Sequence, residues 1–449
     1  MNRLFIIEYF SVFNYHSFAE PRSTSMKVSV VLLCLMLIIP SVRCSGGIVF
    51  RDSEIENVIK KISKPLFAAA HVNVDEVKVF VVDDNRVNAF VAPNNYVFIH
   101  KGLLKFSKDP EVVVGVIAHE IGHMAQYHLI KQERELRNEM IAEGLGYILG
   151  MVTSLVLDPK IGHAIIAGSS TVSQRSFLAY SRTQEEIADQ CALEYLDAAG
   201  YSHEGLLHVL RFFGQHEAQH LYLDEYMLTH PLSEQRLRKL YGYKKQREVV
   251  GFSEEDKASF ERIVEKVKAF LMPLDTLKNR ELSPYMQSIV DYREANVKDA
   301  IQRLNVLIDA APTDPYLREI RAQILYKLGD VEACIADYKA ALSQIPDDML
   351  LKVELAQALV LKDPAQALPY LEQVMRVERD NPYVWKQLSL VYGRMGKVPM
   401  SYFALANMYF LEGDEKRFLE YVKLSKKYFD NNSFQLRIIQ DLEDAYRAS

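Results

Sequence analysis

The stretch Asp109-Pro110-Glu111-Val112-Val113-Val114-Gly115-Val116-Ile117-Ala118-His119-Glu120-Ile121-Gly122-His123 decides how the first half of this 449-residue chain reads. Asp suits a helix N-cap, Pro the first helical position, and Glu the positive end of the helix dipole. The valine-rich run that follows predicts a buried helix, begun before His119 is reached. Residues four apart share a helical face, so His119 and His123 can grip one metal ion. Glu120 is rotated about 100° from His119, too far round to ligate but placed to serve as a general base. Two His ligands, a hydrolytic Glu and a third ligand from elsewhere make the zinc-hydrolase pattern. A chain with 12 His meets this spacing by accident often enough that its context must decide.

The third ligand comes from Tyr180-Ser181-Arg182-Thr183-Gln184-Glu185-Glu186-Ile187-Ala188-Asp189. Glu185 and Asp189 share a helical face, and Glu185 can complete a tetrahedral site with one open position. Asp189 can accept the spare ring N–H of a ligating His and fix its tautomer. Glu186 points elsewhere and reads as solvated. Upstream, Val77 to Val82 and Tyr96 to Ile99 are β-branched and aromatic runs parted by turn residues, which predicts a small sheet beside the active helix. The edge of that sheet either holds an extended peptide by main-chain pairing or is an ordinary edge strand.

Four segments together resemble family 48 zinc metallopeptidases: the His119-to-His123 pentapeptide, the Glu185 segment, Asn88-Ala89-Phe90-Val91-Ala92-Pro93-Asn94-Asn95-Tyr96-Val97-Phe98-Ile99, and Thr229-His230-Pro231-Leu232-Ser233-Glu234-Gln235-Arg236-Leu237. Asn94-Asn95 replaces the family's Gly-Gly, and Asn tolerates the left-handed backbone such a turn needs. The resemblance implies an α+β peptidase domain, mostly helical and zincin-like with a small β-sheet. It also implies one Zn2+ per chain on His119, His123 and Glu185, with Glu120 as catalytic base and Asp189 and Arg236 behind the ligands. His230 precedes Pro231, which restricts it to extended backbone. Its imidazole can donate to a developing oxyanion, occupy the open metal position and hold the enzyme latent, or merely brace its loop.

Composition sets the outer limits. With 49% hydrophobic and 25% charged residues the chain is ordinary globular protein, and its length allows two to three domains. A formal charge of −6 and a pI near 6.1 argue against nucleic-acid binding. Met26-Lys27, the apolar run Val28 to Ile39 and the small residues after it predict a signal peptide, with translation starting at Met26. The run is short for a membrane span, and an uncleaved anchor is the alternative. The exported chain then keeps Cys191 and Cys334, as two buried thiols or as a bridge between domains. The apolar pieces Gly144–Leu157 and Ile161–Gly168 predict a helical hairpin over the cleft, with peripheral membrane contact as the sharper reading.

Beyond about residue 280 the pattern becomes repetitive. Pro312 and Pro346, then Ala322, Ala356 and Ser389, then Ala333, Ala367 and Met400, recur at a period of roughly 34 residues, resembling tetratricopeptide repeats. Such units bury their faces only by stacking into an all-α solenoid, whose concave side suits a protein partner; a spacer packed on the peptidase is the other reading. The chain thus divides into residues 1–45, an N-terminal extension and signal peptide; 46–270, the zinc metallopeptidase domain; and 271–449, the repeat domain. This combination resembles periplasmic members of the family. It implies an endopeptidase for misassembled outer-membrane proteins, with repeats that recruit clients or the assembly machinery. A chaperone or scaffold of envelope assembly with latent peptidase activity is the alternative.

Overall fold

The computed structural model describes residues 49–92, 95–134, 182–217, 230, 234–278, 280–429 and 433–448. The expected signal segment with Cys34 and Cys44, the apolar pieces within 144–168, Asn94 and the Pro231 to Ser233 part of the His-Pro segment lie outside the described residues.

Strands β1 (Val49–Phe50), β2 (Lys78–Val82), β3 (Ala89–Ala92) and β4 (Tyr96–His100) form a sheet in the order β1-β2-β4-β3. Pairing is antiparallel, parallel and antiparallel in turn, so among the described residues β3 is an edge strand bonded only to β4. Asn95, at φ +60°, takes the left-handed conformation expected of the Asn pair at the β3–β4 turn. Helix α1 (Ser53–Ala69) precedes β2, and α2 (Lys101–Phe106) continues from β4.

Helix α3 (Pro110–Arg134) carries the pentapeptide, with Asp109 accepting from the Glu111 N–H at 3.0 Å as the N-cap. Val113, Val114, Ile117 and Ile121 are fully buried, so the helix is an interior one, as its valine run predicts. Around it pack β3, α1, α4 (Arg182–Ala198) and α5 (Glu204–Glu217), and α6 (Glu234–Gly242) closes on α4 and α5. Two glycines let these neighbours approach. A Cβ on Gly122 would stand 2.8 Å from the Ala188 carbonyl oxygen of α4, and one on Gly115 would stand 2.5 Å from the Leu206 nitrogen of α5. Gly122 therefore sets how near the Glu185 helix comes to the two histidines.

Helix α7 (Glu254–Leu271) joins two cores. Phe260, Ile263, Val264 and Val267 belong to the cluster around α3, whereas Ala269 packs with Tyr285, Ile289 and Leu304 beyond it. An all-helical region follows: α8 (Pro284–Arg293), α9 (Val297–Ala310), α10 (Pro315–Leu328), α11 (Val331–Gln344), α12 (Met349–Lys362), α13 (Pro364–Val377), α14 (Pro382–Arg394), α15 (Val398–Leu411), α16 (Glu415–Lys426) and α17 (Phe434–Ala448). Each packs on the next. The small residues read as a repeat, Ala322, Ala356 and Ser389, are buried on the first helices of successive pairs. The fold is thus α+β, a mostly helical domain with a small sheet followed by an all-α region. Cys191 is half-buried and Cys334 buried; the two do not form a bridge.

The helix pairs sit on the peptidase region through their own N-caps. Asp314 caps α10 and pairs with Arg262. Asp348 caps α12 and accepts from Ser53 at 2.5 Å and Asn57 at 2.6 Å. Asn381 caps α14 and donates to Glu378, whose other oxygen lies 2.8 Å from Arg51. Asp314 and Asp348 thus both start a helix and dock it onto the peptidase region, and at the third position Glu378, held by the cap Asn381, makes the contact. Behind these contacts the wholly buried Lys266 reaches Asp52 at 2.8 Å, Glu54 at 3.2 Å and Glu319 at 3.6 Å.

Candidate metal centre

One helical turn separates His119 from His123 on α3, and their rings meet edge to face with centroids 4.7 Å apart. Their Nε2 atoms approach to 3.1 Å. Glu185, on the first turn of α4, places Oε2 3.3 Å from His119 Nε2 and Oε1 3.1 Å from His123 Nε2. His230 adds its Nδ1 at 3.1 Å from Glu185 Oε1. One ligand atom from each of His119, His123, Glu185 and His230 falls within 4.8 Å of the others, and all four residues are buried. Imidazole nitrogens and a carboxylate aiming lone pairs at one point repel one another unless a cation or a proton lies among them. The donor set fits a divalent metal, and three nitrogens with one carboxylate suit zinc.

Behind the ligands is a second layer. Asp189 Oδ1 lies 3.0 Å from His119 Nδ1. Arg236, buried to 1% exposure, bonds both Asp189 oxygens, through Nε at 2.7 Å and Nη2 at 2.9 Å, and puts Nη1 2.8 Å from Glu185 Oε2. One guanidinium thus aligns the carboxylate ligand and the carboxylate that orients a histidine ligand. Sequence alone names Arg236 as a neighbour of the site; its fork across two acids on one face of α4 is visible only in the fold.

The electrostatics follow from burial and these pairs. Burial opposes a charge on His119, yet Asp189 and Glu185 push its pKa up to about 10. Burial drives His123 down to about 3, with the charges of His119 and His230 adding to the effect. Glu185 is held far below the usual carboxylate range by hydrogen bonds from the three histidines, which outweigh its desolvation. Glu120 behaves oppositely: burial raises it, and His230 and His119 only partly restore it. A carboxyl so raised is a better proton acceptor than a solvated one. His230 Nε2 is 3.7 Å from Glu120 Oε1, and the Val91 N–H of β3 faces the same carboxyl. Glu186 turns away, 2.7 Å from exposed Lys239.

All seven residues singled out from the sequence, His119, Glu120, His123, Glu185, Asp189, His230 and Arg236, therefore meet in one buried pocket. The sequence reading missed Val91, because a main-chain N–H leaves no mark in residue identity.

Residues 51–244 match the sequence model of Peptidase family M48. The chain is 21% identical to the beta-barrel assembly-enhancing protease of Yersinia pestis over 372 residues, 79% of this chain and 75% of that protein. It is 25% identical to the protein of the same name from Escherichia coli K12 over 158 residues, 35% of this chain and 32% of the relative. The mitochondrial metalloendopeptidase OMA1 of Arabidopsis thaliana is 30% identical over 193 residues, 43% of this chain and 36% of that one. The chain thus spans three quarters of the Yersinia relative and about a third of the other two. The resemblance to family 48 holds over residues 51–244, the stretch that carries the candidate metal-binding cluster of a metallopeptidase.

Proposed function

We propose that this chain is a zinc-dependent endopeptidase acting on outer-membrane β-barrel proteins that have stalled in assembly. The observation that carries the chemical part is the convergence of His119, His123 and Glu185 beside Glu120 in a buried pocket. The client class rests on the printed names of the assembly-enhancing relatives. In this reading residues 46–270 do the chemistry, and residues 271–449, tetratricopeptide-like, recruit clients or the assembly machinery. A periplasmic location reached through residues 26–45 belongs to the same proposal. Among the described residues no helix is long and apolar enough to cross a membrane.

His119, His123 and Glu185 would hold the ion, with Asp189 fixing the His119 ring and Arg236 fixing both acids. Bound zinc would supply an acidified water and a positive charge for the scissile carbonyl. Glu120 takes the proton of the attacking water and returns it to the leaving amine. The edge strand β3 aligns an extended client by main-chain pairing. At rest His230 would join His119, His123 and Glu185 in holding the ion, which its placement among them supports, and a client would displace it. Displaced, the imidazole is free to donate to the oxyanion.

Two measurements test this. Full-length protein loaded with zinc should cut an unfolded β-barrel protein, and Glu120→Gln should abolish cutting while retaining zinc. Basal cleavage of a short peptide should rise in His230→Ala while client-stimulated cleavage falls. A fall in both would leave only the oxyanion role, and no change in either would reduce His230 to bracing its loop. The complete burial of the site supports one second reading, a scaffold of envelope assembly whose hydrolysis is latent. Complementation by the Glu120→Gln variant would favour it.

A further inference from the structure

The loop from Glu378 to Asn381, between α13 and α14, meets the open end of the small sheet. Asp380 accepts a short hydrogen bond from the Tyr96 hydroxyl, and its other oxygen lies 3.2 Å from Lys78 Nζ. Lys78 Nζ in turn stands 3.3 Å from Tyr96 Oη and 5.0 Å from the centre of the Tyr96 ring. These contacts all fall on one row of the sheet, because Lys78 pairs with Tyr96 and Tyr96 with Ala92. The next row holds Val79, Val97 and Val91. Val91 belongs to the strand that packs on α3 and turns its N–H to Glu120. A single residue step separates the row gripped by the repeats from the row that faces the catalytic base.

From this we infer that Asp380 is a positioning residue for hydrolysis: the repeat array holds the active-site strand in place through Lys78 and Tyr96. The inference rests on the proposed role of Glu120. β3 has four residues and, among the described residues, one bonded strand, β4, whose first residue is Tyr96, so β4 helps to set where β3 sits on α3. Two charged groups and a phenol tie that residue to the repeats, and catalysis is sensitive to displacements of about 1 Å in groups remote from the chemistry. Two other docking contacts, Asp314 with Arg262 and Asp348 with Ser53 and Asn57, end on α7 and α1 rather than on this row.

The test compares zinc-loaded full-length proteins on one unfolded β-barrel client, with kcat, KM and metal content measured for each. Asp380→Ala should lower kcat about tenfold at unchanged metal content. Asp380→Asn keeps an acceptor for the Tyr96 hydroxyl and should recover part of the loss. Tyr96→Phe should lower kcat similarly, and adding Asp380→Ala to it should change little further, because the two act as one unit. Asp314→Asn, which weakens docking elsewhere, should leave kcat as in the wild type. An equal fall in Asp314→Asn would mean general loosening of the interface and overturn the inference. So would an unchanged kcat in both Asp380→Ala and Tyr96→Phe while the wild type still cleaves in a Glu120-dependent way. A wild type without Glu120-dependent cleavage would instead sink the proposed function, and this inference with it.

Discussion

Two regions of the molecule bury several charges at once, and they do it differently. In the pocket of His119, His123, Glu185 and His230 the acceptor atoms face one another around a common centre. At the contact between the peptidase domain and the helix pairs, nearly every acid faces a donor: Asp52 and Glu54 meet Lys266, Glu54 also meets Arg262 and the Tyr285 hydroxyl, and Glu56 meets Arg51. Glu319 and Glu354 are less well compensated: Lys266 stands 3.6 Å from Glu319, and Glu354 accepts from the uncharged Gln323 amide. Burial outweighs these partners and pushes the pKa of Glu319 well up and that of Glu354 up to about 8. Buried charge by itself therefore does not mark a reactive site. Convergence of several metal-ligating atoms on one point does, because such an arrangement needs a cation or protons among them.

The largest effect that would break this contrast is on turnover. Glu120→Gln should reduce cleavage by about 10³-fold or more with metal retained, since only proton transfer is lost. Cleavage at the wild-type rate would show that the pocket acts through another base. Next comes ligation: Glu185→Ala should strip the metal, whereas Glu186→Ala, which loses exposed contacts with Lys239 and Gln235, should keep it. Elemental analysis of the two purified variants reads this directly, and equal loss in both would displace Glu185 from the site.

The contact between domains responds in stability rather than turnover. Lys266→Met leaves Asp52 and Glu54 without their shared cation and should cost about 3–5 kcal/mol in a denaturant titration. If the midpoint hardly moves, water must replace the lysine and the region is wetter than its burial suggests.

The smallest effect is one of pH. Burial raises the pKa of Glu354 in the folded protein to about 8, whereas unfolded it would ionise near the ordinary glutamate value of 4.5. Between those values the folded state binds the extra proton, so its stability declines as pH rises. Glu354→Gln imitates the protonated acid and keeps an acceptor for Gln323, which bonds it at 2.9 Å. The variant should melt with the wild type at pH 5 and about 2–4 °C above it at pH 8.5. Coincident melting at both values would mean that Glu354 is ionised in the fold.

The two regions also differ in how far they could be read in advance. The pocket was legible because a metal site constrains residue type and spacing together: two His one turn apart, and two acids one turn apart on a second helix. The sheet was legible from its β-branched runs, and the helix pairs from small residues recurring along the chain. The contact between domains was not. Arg51, Glu54, Lys266 and Asp348 look like ordinary charged residues of amphipathic helices, and nothing local distinguishes an acid facing water from one facing a distant lysine. The repeats accordingly read either as a surface for partners or as a spacer packed on the peptidase, and it took the fold to show which caps, Asp314 and Asp348, engage it.

What the sequence determined by itself is the chemistry available and the local scaffolds that carry it. Helix periodicity, capping residues and ligand spacing act over a few residues, where chain geometry is nearly fixed. What only the tertiary structure decided is which of these groups face one another. Gly122 admits α4 to the distance at which Glu185 meets both histidines, Arg236 spans the two acids of that helix, and Asp380 reaches back to Tyr96. Those contacts join residues 47 to 284 positions apart. Packing of whole elements sets them, and no local rule of the chain encodes such a distance.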